Sequence, residues 1–93
     1  MITTIKKSHF RHQLHNIEGW IDRVDVSQRR LYLRTGSRDR HGICILIPDH
    51  CEIRHEAHHL HLHSLLPCDA VSIGYMENEV GARIAQRIEV NGN

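Results

Sequence analysis

The middle of the chain concentrates the side chains that bind transition metals. Six of the ten histidines lie within residues 50–63, and Cys51 lies among them. Neutral imidazole is the commonest protein ligand of Zn, Cu and Ni, and thiolate is favoured by Zn and Cu(I). This composition predicts a transition-metal site that holds Zn, Ni or Cu. We expect its ligands among six residues: Cys51, His55, His58, His59, His61 and His63.

Two backbone conformations of this segment would bring three of the expected ligands together. In a helix, Cys51, His55 and His59 recur at every fourth position and share one face. In an extended chain, His59, His61 and His63 point to the same side because successive side chains alternate. The spacing of the residues fits both conformations.

A competing interpretation makes the histidines a solvated surface that binds no metal. Leu60 and Leu62 alternate with histidines, as expected for the buried side of an amphipathic segment. Histidine is also frequent elsewhere in the chain, at His9, His12, His15 and His41. Because unperturbed imidazole has a pKa near ~6.5, such a surface would gain charge as the pH falls from about 7 to 6.

A second group of residues, nearer the start of the chain, suits single-stranded nucleic acid. Leu31 and Leu33 alternate with polar residues and predict a strand whose intervening side chains point outward. A tight connection at residues 27–28 would bring Trp20 beside this outward face. OB folds use aromatic and cationic side chains on such strands to stack bases and hold phosphates. The candidate nucleic-acid residues are Trp20, Arg30, Tyr32, Arg34, Arg38 and Arg40.

The exposed tryptophan of this face also has a purely structural interpretation. An amino-terminal arm can cover Trp20 with Phe10 or Leu14, and Arg34 then lies over the indole ring as a cation–π partner. The sequence pI of about 7.9 is modest as well, because nucleic-acid-binding domains more often exceed ~9.

Composition bounds the size of the fold and the kinds of function it can carry. The 93 residues are enough for one domain. With 40% hydrophobic but only 4% aromatic residues, the core must consist of Ile, Leu and Val, which leaves little room for a deep pocket. The sequence contains no phosphate-binding glycine loop, no paired-carboxylate motif and no His-Glu-x-x-His motif. We therefore expect a binding protein and no enzyme.

The cysteines and the apolar segments lead to an expectation about the compartment. The three cysteines are an odd number and include no Cys-x-x-Cys pair, which favours reduced thiols. The start of the chain has no apolar stretch typical of a signal peptide, and the longest apolar run, residues 43–47, is too short to cross a bilayer. We expect a cytoplasmic protein without membrane contacts.

The hydrophobic pattern predicts five strands, at residues 17–24, 29–35, 43–47, 70–75 and 80–90. In the last strand we expect Val80, Ala82, Ile84, Ile88 and Val90 to be buried, with a bulge near residues 85–86 where the alternation breaks. Five strands with their longest insertion between the third and fourth are typical of an OB-like barrel. We expect an all-β barrel over residues 16–93, an arm or short helix at 1–15, and a short helical or irregular insertion.

Three segments carry a resemblance to a known group of barrels. They are residues 19–25, 31–33 and 65–71, which match a Gly-x-Ile-x-x-Val-Asp opening, a Leu-x-Leu second strand and a Leu-x-x-Gly-Asp-x-Val fourth strand. The chain thus resembles short bacterial five-stranded OB-like domains, a group that includes periplasmic copper chaperones. Cys68 stands where the pattern has glycine.

The resemblance implies the barrel fold over about residues 17–90, but it does not transfer a metal site. The copper chaperones of the group bind their metal with His, Trp and two Met. This chain has Trp20, but its only methionines are Met1 and Met76, so the copper site of the group is not carried over.

These patterns together predict a small non-enzymatic binding or adaptor module. The leading hypothesis is a transition metal bound by residues 50–63. One alternative is single-stranded nucleic acid on the basic, aromatic face. Another is a structural or protein-interaction subunit, whose partner can be a different protein or a second copy joined through a free sheet edge.

Overall fold

The computed structural model describes residues 13–36 and 42–91, which form strands and one short 3-10 turn. We number the strands in chain order. They are β1 (His15–Asp25), β2 (Arg30–Arg34), β3 (Ile43–Leu46), β4 (Glu52–His55), β5 (His58–His59), β6 (Ala70–Glu77) and β7 (Arg83–Asn91), with the 3-10 turn at Leu62–Ser64 between β5 and β6.

Five of the strands close into a barrel. The sheet runs in the order β3-β2-β1-β6-β7, and a parallel pairing of β3 with β7 joins its two ends. The other pairings around the barrel are antiparallel. This closed, five-stranded mixed barrel confirms the OB-like fold predicted from the sequence.

The long strand β1 pairs with two neighbouring strands, and this double pairing requires a glycine. Its first half pairs with β6 and its second half with β2, and Trp20 takes part in both pairings. A Cβ atom at Gly19 would overlap the backbone carbonyl of Arg34, so only glycine lets the strands approach this closely. A bulge at Asp22, where the register shifts between Ile21 and Arg23, then turns the strand along β2.

The core consists almost entirely of aliphatic side chains, as the composition predicted. Leu31 and Leu33 of β2 are fully buried, which confirms the predicted alternation. On β6, Val71, Ile73 and Tyr75 are buried, also as predicted. The remaining buried hydrophobic residues are Ile21, Ile45, Ile47, Ile53, Leu62, Leu65, Ala85 and Ile88.

The predicted bulge in the last strand is confirmed. Tyr75 of β6 pairs with Ala85 of β7, whereas the preceding Gly74 pairs with Arg87. Gln86 is therefore the extra residue of the bulge. Because it shifts the alternation by one position, Ala85 and Ile88 can both face the core.

The predicted start of the last strand is wrong. Val80 is 87% exposed, and β7 begins only at Arg83. The side-chain oxygen of Asn78 accepts hydrogen bonds from the backbone N–H groups of Val80 (3.1 Å) and Ala82 (2.9 Å). These bonds hold residues 79–82 in a turn, so Val80 lies at the tip of a hairpin and not in a strand.

The insertion between the third and fourth barrel strands is a β-hairpin followed by the 3-10 turn. Strand β4 pairs in parallel with β7 through residues 52–54, and β5 pairs back on β4. The hairpin turn consists of Glu56 and Ala57, and Glu56 has a φ of 58°. A helix over residues 51–59 is thereby excluded, and so is the helical arrangement of Cys51, His55 and His59.

At the start of the chain the barrel begins with β1 at His15, one residue before the predicted boundary. Residues 1–12 of the predicted arm lie outside the described residues. Within the described residues, no helix is long and apolar enough to span a membrane.

Candidate metal site

The two histidines that flank the hairpin turn lie directly opposite each other. His55 of β4 and His58 of β5 are register partners in the antiparallel pair. Side chains at such positions share one face of the sheet, with Cβ atoms about 4.5–5.5 Å apart. Two imidazoles at this separation can bind one metal ion together. The fold thus brings two of the six predicted ligands together.

His59 lies on the opposite face of the hairpin, because side chains alternate along β5. Its partner across the strands is Arg54, whose guanidinium contacts the carboxylate of Glu52 at 3.5 Å. A cation beside His59 disfavours a second cation at the same place. His59 therefore does not join the pair formed by His55 and His58.

The next two histidines contact each other but do not direct their nitrogen atoms to one point. The rings of His61 and His63 are stacked, with centroids 5.3 Å apart and planes inclined by 5°. The lone pairs of imidazole nitrogens lie in the plane of the ring. Because the two rings are parallel, their lone pairs lie in separate parallel planes and do not meet at one metal position. Between these exposed rings, Leu62 is only 5% exposed and packs into the core. At these two positions the structure matches the amphipathic interpretation of the segment.

Cys51 is separated from the exposed histidines by its burial. Its side chain packs against the hydrophobic core, and desolvation raises the pKa of the thiol to about 11. A thiol with this pKa stays protonated at neutral pH and is a weak metal ligand. Among residues 13–36 and 42–91, no three His, Cys, Asp or Glu side chains are placed to hold one ion.

His55 also borders a groove of about 450 Å³ between the hairpin and the loop that precedes β6. Its lining includes two further residues of ligand type, Cys68 and Asp69. The other residues that line the groove are Leu60, Ser64, Ala70, Val90 and Asn91. Three of the residues that line the groove thus have side chains of types that can bind metals.

Backbone hydrogen bonds fix the loop that carries this thiol. The N–H of Cys68 donates to the carbonyl of Ile21 at 2.7 Å, and the N–H of Ile21 donates to the carbonyl of Asp69 at 2.9 Å. The carboxylate of Asp69 accepts a hydrogen bond from the N–H of Leu66 at 3.0 Å. Cys68 itself is exposed and has a φ of 76°, a conformation that glycine adopts most easily.

Cys68 and Asp69 are groove residues that the ligand prediction did not include. The signal was present in the sequence, because Cys68 replaces the glycine of the barrel pattern. A residue that keeps a side chain where glycine fits better is a candidate for a functional role.

Trp20 lies beside Arg34 of β2, as the alternation of the strands predicted. Its side chain is 52% exposed. Phe10, one of the arm residues expected to cover it, lies outside the described residues, and the other, Leu14, is itself 43% exposed. Nε of Arg34, however, lies 3.6 Å from the carboxylate of Asp22. Two further candidates, Arg38 and Arg40, lie outside the described residues.

The other candidate residues of this face already contact neighbouring side chains or lie beside them. The guanidinium of Arg23 lies 4.3 Å from the ring centroid of Tyr32 and covers one face that a base would need. Arg30 is the register partner of Asp25. Acidic neighbours thus offset part of the charge of both arginines on β2, which weakens their attraction for a phosphate backbone.

The architecture defines the class of the protein as a small, closed, OB-like β-barrel. No family model matches the chain, and no curated protein matches it either. Solved structures do match, and those found are of CusF. The crystal structure of Ag(I)CusF is similar with a TM-score of 0.65 and 11% identity, over 85% of this chain and 99% of that one.

Two CusF structures from Escherichia coli agree with this result. CusF with Ag(I) matches with a TM-score of 0.66 and 10% identity, over 86% of this chain and 94% of that chain. A Trp-to-Ala variant of CusF with Cu(II) matches with the same values. At this identity the likeness shows the fold. The matched CusF structures include forms with Ag(I) and with Cu(II), and nothing in the comparison points to nucleic acid.

The comparison contradicts one expectation from the sequence. The short apolar segments and the unpaired cysteines led us to expect a cytoplasmic protein. The structural neighbours are periplasmic chaperones, and they point to the periplasm instead. An odd number of cysteines is a weak guide, because a free thiol can also be retained as a metal ligand.

Proposed function

We propose that this chain is a small, non-enzymatic module that binds a copper-class ion as cargo at the tip of its β4–β5 hairpin. The observation that carries the proposal is the direct opposition of His55 and His58 across the two-residue turn. The similarity of the barrel to CusF structures that hold Ag(I) and Cu(II) supports the same class of ion.

The hairpin suits this role because the fold sets the separation of the two imidazoles. Strand β4 is anchored along β7 by parallel pairing, and Ile53 places its side chain in the core. The two imidazoles therefore need little ordering when the ion binds. The other predicted histidine ligands take no part in this pair, because His59 lies on the opposite face of the hairpin and His61 and His63 stack on each other.

A titration of the dialysed protein with copper, followed by calorimetry and elemental analysis, tests this proposal. We expect one ion per chain in the wild type. The double variant with His55→Ala and His58→Ala should lose more than about tenfold in affinity, which corresponds to about 1.4 kcal/mol or more. The matched control changes His61 and His63 to Ala and should retain the affinity. Equal affinity of the first double variant and the wild type would disprove the proposal.

A further inference from the structure

We infer that the pair formed by His55 and His58 is half of a metal site, and that a second copy of this chain supplies the other half. One Cu(II) ion then joins two chains through the tips of their β4–β5 hairpins. This inference rests on the proposed function, because the ion binds the same two histidines. It goes beyond that proposal in naming the partner and the number of chains for each ion.

A single pair leaves the coordination of the ion incomplete. His55 and His58 offer two imidazoles from one face of the hairpin. Cu(II) prefers a square-planar or tetragonal set of nitrogen and oxygen ligands, which takes about four in one plane. In the part of the chain that the structure describes, no third His, Cys, Asp or Glu is placed to join the pair. The other positions around the ion are therefore open to a second molecule.

The pair lies at a tip that a second chain can reach. Strand β5 is the last strand of the sheet order, beyond β4, and both of its residues are exposed. The turn residues Glu56 and Ala57 are exposed as well. Beside His55, the groove of about 450 Å³ is open space. A second hairpin tip can thus approach without a rearrangement of the barrel strands.

Twofold symmetry completes the ligand set. In an isologous dimer each chain presents the same residues to the other, so an ion on the symmetry axis receives His55 and His58 from both chains. Neutral imidazoles leave the ion with its two positive charges. The turn of each copy carries one carboxylate, that of Glu56, which follows His55 in the chain. Two copies therefore bring two negative charges to the neighbourhood of the ion, which favours the dimer.

The dimer depends on the ion because the hairpin tips are small. Stable protein interfaces bury at least about 1,000 Å², and association costs roughly 4–15 kcal/mol. A two-residue strand with a short turn offers far less surface, so we expect monomers without metal. Excess copper should also separate the chains, since each pair then takes its own ion. This end state is the one ion per chain that the proposed function expects.

Gel filtration with light scattering, on dialysed protein with increasing Cu(II), tests the inference. The wild type should have the mass of one chain without metal, twice that mass at about half an equivalent, and the mass of one chain again at about five equivalents. His58→Ala should keep the mass of one chain throughout. His59→Ala is the matched control, because this neighbouring residue lies on the opposite face, and it should dimerise like the wild type.

The outcomes separate this inference from the proposed function. If the wild type binds Cu(II) but keeps the mass of one chain at half an equivalent, the inference is overturned while the proposed function stands. If the wild type binds no Cu(II), both are overturned. A dimer that persists in His58→Ala or in excess Cu(II), or that is lost in His59→Ala, shows that the two pairs do not share the ion and also overturns the inference.

Electron paramagnetic resonance of the unmutated protein gives a second readout. At half an equivalent of Cu(II), the splitting of the copper signal should correspond to four nitrogen ligands, two from each chain. A splitting that corresponds to two nitrogen ligands under this condition overturns the inference, because the ion is then held by one chain.

Discussion

Replacing Cys68 by glycine should stabilise the protein in the absence of metal. The residue has a φ of 76°, which costs a non-glycine residue roughly 1–2 kcal/mol. Glycine avoids this cost but loses about 0.5–1 kcal/mol more conformational entropy on folding. The exposed side chain contributes little packing. The balance is a gain of about 0.8 kcal/mol in the free energy of unfolding, within a range of about 0–1.5 kcal/mol, or roughly 3–6 °C in Tm for a domain of this size.

Urea denaturation followed by the fluorescence of Trp20, the single tryptophan, measures this difference. Cys68→Ala is the control, because alanine removes the thiol but keeps the strained conformation. It should show no gain in stability. If glycine and alanine have the same effect, or if glycine destabilises the protein, then residue 68 is not in the left-handed region and the reasoning fails.

Three further predictions concern the barrel itself. Gly19→Ala should destabilise the protein by about 1–3 kcal/mol, measured by urea denaturation, because the new methyl group overlaps the carbonyl of Arg34; an unchanged midpoint would contradict the close approach of β1 and β2. Leu33→Ala, at a fully buried position, should cost about 2–5 kcal/mol in the same assay, and a loss below 1 kcal/mol would argue against its place in the core. The hydrogen bond from Ser27 lowers the pKa of Asp25 in the folded protein. The ionised carboxylate therefore stabilises the fold at pH values above the pKa that it has in the unfolded chain. This stabilisation is lost as the pH falls below about 4. Asp25→Ala should thus be less stable than the wild type at pH 7 and approach it near pH 3, and a constant difference would contradict this role.

Alternation along the strands was the part of the fold that the sequence predicted best. Leu31 and Leu33 could be placed in the core because the pattern has a period of two and is flanked by charged residues. The bulge at Gln86 was also predictable, since a polar residue interrupts the alternation in β7. Such signals are local, and every barrel strand has a buried side to create them.

Features that depend on a few hydrogen bonds or on distant contacts could not be predicted. The hydrophobic pattern predicts that a strand starts at Val80, but the side chain of Asn78 accepts a hydrogen bond from the N–H of Val80 and holds it in a turn. The turn at Glu56 and Ala57 contains neither Gly nor Asn. The sequence therefore lacks the usual signal for the hairpin that places His55 opposite His58. The groove joins residues that are 13 positions apart in the chain, His55 and Cys68, and no spacing rule connects them.

The hairpin that carries the proposed ligands lies outside the closed ring of barrel strands. The five strands complete their ring without β5, which sits at the outermost end of the sheet beyond β4. Changes confined to residues 56–59 therefore leave the hydrogen bonds that close the ring intact. A designer can graft a different metal-binding tip onto this position and keep the same scaffold beneath it.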